Sequence, residues 1–207
     1  MKQLLFTSAL AMLLFSCSKQ ETQTSVVNSL GSSISDYSKL TVGNYWIYEI
    51  LNVDTLGNAT PEGTDSCYVK SDSIFNGKTY AVVVNTNPSG IYRGLERDSS
   101  LFLVDQNGTI IFAYGDFNTA IYKDSVPDTG SSMYSVSSVP SVVTVPMGTY
   151  TCFDYKGTFI TAKDYPWGHV RYSNSYYAVN IGMIESIYFY YDAAGTIQYK
   201  LIRSHVL

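Results

Sequence analysis

The chain is short of charge. Asp, Glu, Lys and Arg make up 14% of its 207 residues, against roughly 25% in ordinary soluble domains. Ser, Thr, Asn and Tyr fill the gap, a habit of exported β-proteins. The net charge of −4 repels phosphate backbones and argues against nucleic acid as a partner. Histidine is scarcer still, with two copies. No Gly-x-Ser-x-Gly elbow accompanies them, so a hydrolytic triad is not expected. Two histidines and no closely spaced cysteine pair also exclude an ordinary zinc site. No metal or other cofactor is expected. Beyond the first residues no apolar run is long enough for a membrane helix, which needs about 20 residues. No segment carries a helical period. Hydrophobic residues at 45% nevertheless exclude disorder of the whole chain.

What is present begins at the N-terminus. Lys2 is followed by a short apolar run from Leu4 to Phe15 and then by Ser16-Cys17-Ser18. This has the shape of an export signal over residues 1–16. Leu14-Phe15-Ser16-Cys17 resembles a bacterial lipobox. The resemblance implies cleavage before Cys17 and acylation of its thiol and new amino group. A plain secretory signal is the competing reading, but Leu14 is not the small residue its cleavage site prefers. Two or more acyl chains give stable anchoring, at about 0.8 kcal/mol per buried methylene. The expected address is the bacterial outer membrane, on either its periplasmic or its surface face. Lys19 and Glu21 are similar to charged surface-export tags of Bacteroidetes.

Residues 17–39 are polar and read as a flexible tether. Residues 40–207 alternate with period two and read as one antiparallel β domain. Trp46, Tyr48 and Ile50 fall on one face of a first strand. Asn76-Gly77 and Asn107-Gly108 predict hairpin turns, because Asn-Gly accepts the positive φ angles that match strand twist. A third hairpin is expected around residues 192–195, and further strands at residues 142–145, 149–161 and 170–179. About ten strands in one domain have to curl, close or split. The expected fold is an all-β meander forming a strongly curved sheet or incompletely closed barrel; a two-sheet sandwich is the runner-up.

Three stretches carry a family resemblance. Leu40-Thr41-Val42-Gly43-Asn44-Tyr45-Trp46-Ile47-Tyr48 resembles the opening strand of a group of Bacteroidetes lipoproteins that have no assigned activity. Val145-Pro146-Met147-Gly148-Thr149-Tyr150-Thr151-Cys152 and Tyr176-Tyr177-Ala178-Val179-Asn180-Ile181-Gly182-Met183-Ile184 are similar to later strands of that group. Asn180-Ile181 departs from the more usual Gly-Val. The resemblance implies a lipid-tethered β domain and supplies no catalytic residue and no ligand.

Several sites are candidates. Cys67 and Cys152 are an even pair in an oxidising compartment. A bridge between them would contribute on the order of 4 kcal/mol; two buried free thiols are the alternative. Tyr165, Trp167, His169 and Arg171 form an aromatic and polar loop suited to stacking on a sugar, or serving only as a strand connection. Trp46 reads as core rather than ligand contact. Asp128-Thr129-Gly130-Ser131 matches the active-site triplet of aspartic proteases. Those enzymes need two such carboxylates, and a turn explains the single copy better. Asp105-Gln106-Asn107-Gly108 lacks the spacing of a calcium loop. Thr55, Ser73 and Ser125 sit in Asp-Ser/Thr-apolar triplets similar to the O-glycosylation sequon of exported Bacteroidetes proteins. The leading expectation is a non-catalytic envelope lipoprotein, held to the membrane by its lipid, that binds a glycan, a lipid or an envelope protein. A hydrolytic enzyme and a lipid carrier with an apolar cavity are the rivals.

Overall fold

A computed structural model describes residues 30–115, 117–126, 128–163, 168–191 and 193–207. One four-residue helix, α1 (Ser35–Ser38), precedes thirteen strands. These are β1 (Tyr45–Val53), β2 (Ala59–Phe75), β3 (Lys78–Asn87), β4 (Gly90–Ser99), β5 (Phe102–Asp105), β6 (Ile110–Ala113) and β7 (Tyr122–Val126). They continue with β8 (Gly130–Val136), β9 (Ser141–Val145), β10 (Gly148–Thr161), β11 (Val170–Ala178), β12 (Gly182–Phe189) and β13 (Thr196–His205). All thirteen belong to one antiparallel sheet in the order β6-β5-β4-β3-β2-β1-β13-β12-β11-β10-β8-β7, with β9 paired to β10 off that path. The strands do not divide into two sheets, so the runner-up sandwich is set aside.

The first and last strands lie side by side in the middle of the sheet. Trp46 pairs with Ser204 and Ile50 with Tyr199. The sheet then rolls. Phe112 on β6 stacks on Tyr177 of β11 with ring centroids 4.0 Å apart, although eight places in the strand order separate those two strands. The Tyr155 hydroxyl on β10 donates to the Ile110 carbonyl across the same join at 3.2 Å. Thirteen twisted strands cannot stay flat, and this aromatic contact is where the curl is fixed. The result is an open roll rather than a closed barrel.

The packed domain begins upstream of Leu40, inside the stretch that reads as tether. Ile34 and Tyr37 are buried. Tyr37 packs against Phe112 and Phe153, and the Asn180 amide donates to the Asp36 carbonyl at 2.7 Å. Asp36 supports the turn before α1 by accepting from the Ser32 and Ser33 amides. Those bonds hold its carboxyl below the usual carboxylate range.

The hairpin at Asn76-Gly77 forms as its sequence predicts, with φ of 49° and 71°. The β5–β6 turn is wider. The Asp105 carboxylate accepts from the amides of Asn107 and Thr109, both at 2.8 Å, which accounts for the acidic residue without a cation. The segment from Ala59 through Gly63 reads as a connection but is strand. β1 pairs with it, and a bulge opposite Ile50 and Leu51 absorbs Glu62. Pairing of β2 with β3 begins only at Ser66. Pro61 therefore has a neighbour on one flank, where its missing donor is tolerated.

Candidate cleft in the concave face

Period-two alternation carries one row of side chains from each strand into the hollow of the roll. β1 contributes Trp46 and Tyr48, β2 Asp65 and Cys67, β3 Val83 and Asn85, and β4 Tyr92 and Glu96. From the far side come Tyr177, Ser186, Tyr188 and Tyr199. Together they line a cleft of about 450 Å³, within the range of small-molecule sites.

The aromatic walls are anchored. The Trp46 indole donates to the Ile181 carbonyl at 2.6 Å. The Tyr48 hydroxyl donates to the Met183 carbonyl at 2.9 Å. Trp46 is therefore both core and cleft wall, 5% exposed yet part of the lining. Ser175 and Ser186 share a hydrogen bond at 3.0 Å.

The acidic groups are set differently. Burial pushes the Glu96 carboxyl up to about 7, helped by the charges of Asp105 and Asp98 nearby. Burial also raises Asp65, whose Oδ1 is enclosed and has no hydrogen-bond partner. Among the lining residues there is no Lys, Arg or His to neutralise either carboxylate.

Cys67 in the cleft wall and Cys152 on β10 are both free thiols in this structure. Burial is the main cause raising each thiol, and Cys152 reaches about 12. Neither is poised as a nucleophile, which requires the thiolate.

The sequence-derived candidates lie elsewhere. Tyr165 and Trp167 fall outside the described residues, as does Cys17. His169 is exposed, with Nδ1 3.2 Å from the Thr161 hydroxyl. Arg171 lies over the Phe189 ring at 5.2 Å and donates to the carbonyls of Ala193 and Gly195. Neither His169 nor Arg171 lines the cleft. Thr55 is exposed in the turn after β1, and Ser125 is exposed on β7. Ser73 is half-buried within β2, opposite Tyr80. Asp128 has φ of 60° at a turn. A methyl group added to Gly130 would overlap the Ile160 carbonyl oxygen. The Asp-Thr-Gly triplet thus serves the β7–β8 hairpin. Among the described residues no group of three or more His, Cys, Asp or Glu is placed to hold a metal ion.

The residues that the sequence does not mark are Asp65, Asn85, Glu96 and Ser186. The usable signal was positional. Asp65 and Cys67 continue the inward row of β2 that ends at Val69, and Glu96 lies two strands beyond on the same face.

Fold and site together define an open antiparallel β roll with an aromatic, acidic cleft. No family model and no curated protein matches the chain. Two solved structures are similar to it. One is a candidate lipoprotein from Parabacteroides distasonis, 14% identical over 82% of this chain and 97% of that chain, with a TM-score of 0.43. The other is a candidate exported protein with a YmcC-like fold from Bacteroides fragilis, 15% identical over 80% of this chain and 96% of that chain, also with a TM-score of 0.43.

Proposed function

We propose that the chain is an exported, lipid-anchored protein of the bacterial outer membrane whose concave cleft binds a small organic ligand without converting it. The observation that carries this reading is the cleft itself: anchored aromatic walls, a small-molecule volume and two carboxylates without a protein counter-charge. Walls of this kind suit orientation of a partly polar guest. They do not suit an acyl chain, because carboxylates are costly to seal under hydrocarbon. The cleft thiol is held protonated, and neither described histidine reaches the cleft.

Two measurements test the reading. A fragment library spanning cations, neutral molecules and anions, screened by saturation-transfer NMR, should yield hits that compete with one another. Asn85→Trp, which places an indole in the cleft, should lower hit affinity about ten-fold or more. A wild-type protein with no hit of any charge class, or an Asn85→Trp protein that binds as before, ends this account of the cleft. For the anchor, Cys17→Ser should abolish palmitate incorporation and move the protein out of the membrane fraction. Continued sedimentation of the serine variant with membranes would refute acyl anchoring.

A further inference from the structure

We propose that the guest of this cleft is an organic cation, a primary amine or quaternary ammonium carried on an apolar body about the size of an aromatic ring. The proposal rests on the reading of the cleft as a binding site and narrows the class of ligand.

Charge balance is the first argument. Asp65 on β2 and Glu96 on β4 line the cleft from the same half of the roll, with β3 between their strands. No basic side chain lines it with them. The Asp65 Oδ1 atom is enclosed and accepts no hydrogen bond. A buried carboxylate is normally paired or hydrogen-bonded, because desolvating it alone costs several kcal/mol. Here the lining supplies no compensating charge, and a cationic guest would bring one.

The second argument is the surface against which that charge would rest. Trp46, Tyr48, Tyr177 and Tyr188 line the same cleft as the two carboxylates. Aromatic faces carry negative quadrupole potential and attract ammonium groups, more strongly where water is excluded. The same rings would enclose the apolar body. A cleft of about 450 Å³ admits one such molecule. An inorganic cation fits less well. Hard divalent ions take about six or more oxygen ligands, and no cluster of three candidate ligands occurs among the described residues.

Proton linkage is the third. Asp98 on the same strand, Asp105 on β5, Cys67 on β2 and Tyr177 on β11 are the titratable groups that face Glu96. None is a cation. A bound ammonium would be the first positive charge beside Glu96, and would favour its ionised form. Amine binding should therefore strengthen as pH rises through 7, while a neutral guest of the same shape should be indifferent to pH.

The test uses the full-length mature protein in neutral detergent and isothermal titration calorimetry. The probes are 2-phenylethylamine, phenyltrimethylammonium, neutral 2-phenylethanol and anionic 3-phenylpropionate. At pH 8 both cations should bind about ten-fold or more tightly than the alcohol, and the carboxylate should bind weakest. Glu96→Gln should erase most of the preference for cations over the alcohol. Asp65→Asn should weaken cations in the same direction, and far-ultraviolet circular dichroism should show both variants folded. At pH 5.5 wild-type affinity for the amine should fall several-fold. Equal binding of amine and alcohol, or an undiminished preference in folded Glu96→Gln, overturns the proposal while leaving a binding cleft in place. Absence of binding by all four probes, with hits from no other charge class, overturns the cleft reading with it.

Discussion

Replacing Phe112 with alanine should cost about 4 kcal/mol of folding stability, the middle of the range for a fully buried phenylalanine. Phe112 has no exposed surface. Its ring stacks on Tyr177 at 4.0 Å and meets Tyr37 at 5.7 Å and Tyr155 at 6.3 Å. Removal of the ring gives up its own transfer free energy and leaves a void. Aromatic neighbours held by separate strands cannot collapse into that void without straining several backbones at once. Position adds to the loss. Phe112 joins the β5–β6 end of the sheet to β10 and β11, and α1 rests on it through Tyr37. Tyr114 and Tyr37 also meet Phe153 at this end, but Phe112 sits at the centre of the cluster, so the variant should open there first. Against a typical total of 5–15 kcal/mol, a loss of this size should shift the urea midpoint markedly. Amide exchange should quicken along β5, β6 and α1 before it does along β1 and β13. Ile74→Ala is the control: that side chain is 78% exposed, and its removal should change stability by less than about 0.5 kcal/mol. A Phe112→Ala protein within about 1 kcal/mol of wild type would show that the aromatic join does not hold the roll.

The difference between these two residues marks what a sequence can disclose. The alternation of Trp46, Tyr48 and Ile50 is local and period-two, and it forms the buried face of β1 as written. Asn76-Gly77 fixes a turn through backbone sterics alone, and it too is legible. The pairing of β1 with β13 is not, because nothing local records which distant strand supplies the partner hydrogen bonds. Nor is the meeting of Phe112 with Tyr177, which depends on how thirteen strands share their twist. β4 escapes notice for a different reason. Its inward positions hold Gly94, Glu96 and Asp98, so the apolar alternation that announces a strand is missing. Ser and Gly hide β8 in the same way. The short helix is hidden by length, since four residues carry no period. The acidic half of the cleft was therefore obscured by the feature that makes it a candidate site: carboxylates where hydrophobic residues are expected. The aromatic half was legible as strand, and Trp46 was visible as core without any sign that its other edge borders a cavity.

Glu96→Gln should stabilise the unliganded protein at pH 8 by about 2 kcal/mol and should leave it nearly unchanged at pH 4.5. In the folded chain the Glu96 carboxyl keeps its proton up to about pH 7, whereas its ordinary value is 4.5. Between those values the folded state binds more protons than the unfolded state. Stability therefore declines as pH rises across this window and levels off above it. The full difference corresponds to on the order of 3 kcal/mol. Water entering the open cleft screens part of it, which leaves about 2 kcal/mol. Asp65, Asp98, Asp154 and Glu185 are also raised, chiefly by burial, and act in the same direction; through Glu96 alone, wild-type protein should melt at higher temperature at pH 5.5 than at pH 8. Glutamine keeps the shape and removes the titration. Its Tm should exceed wild type by several degrees at pH 8, given about 2–4 °C per kcal/mol for a domain of this size. A saturating organic cation should reverse the order, because it stabilises the ionised wild type and has little to hold in the variant. A variant less stable than wild type at pH 8 would mean that the protein already satisfies the Glu96 carboxylate and that its burial carries no net cost.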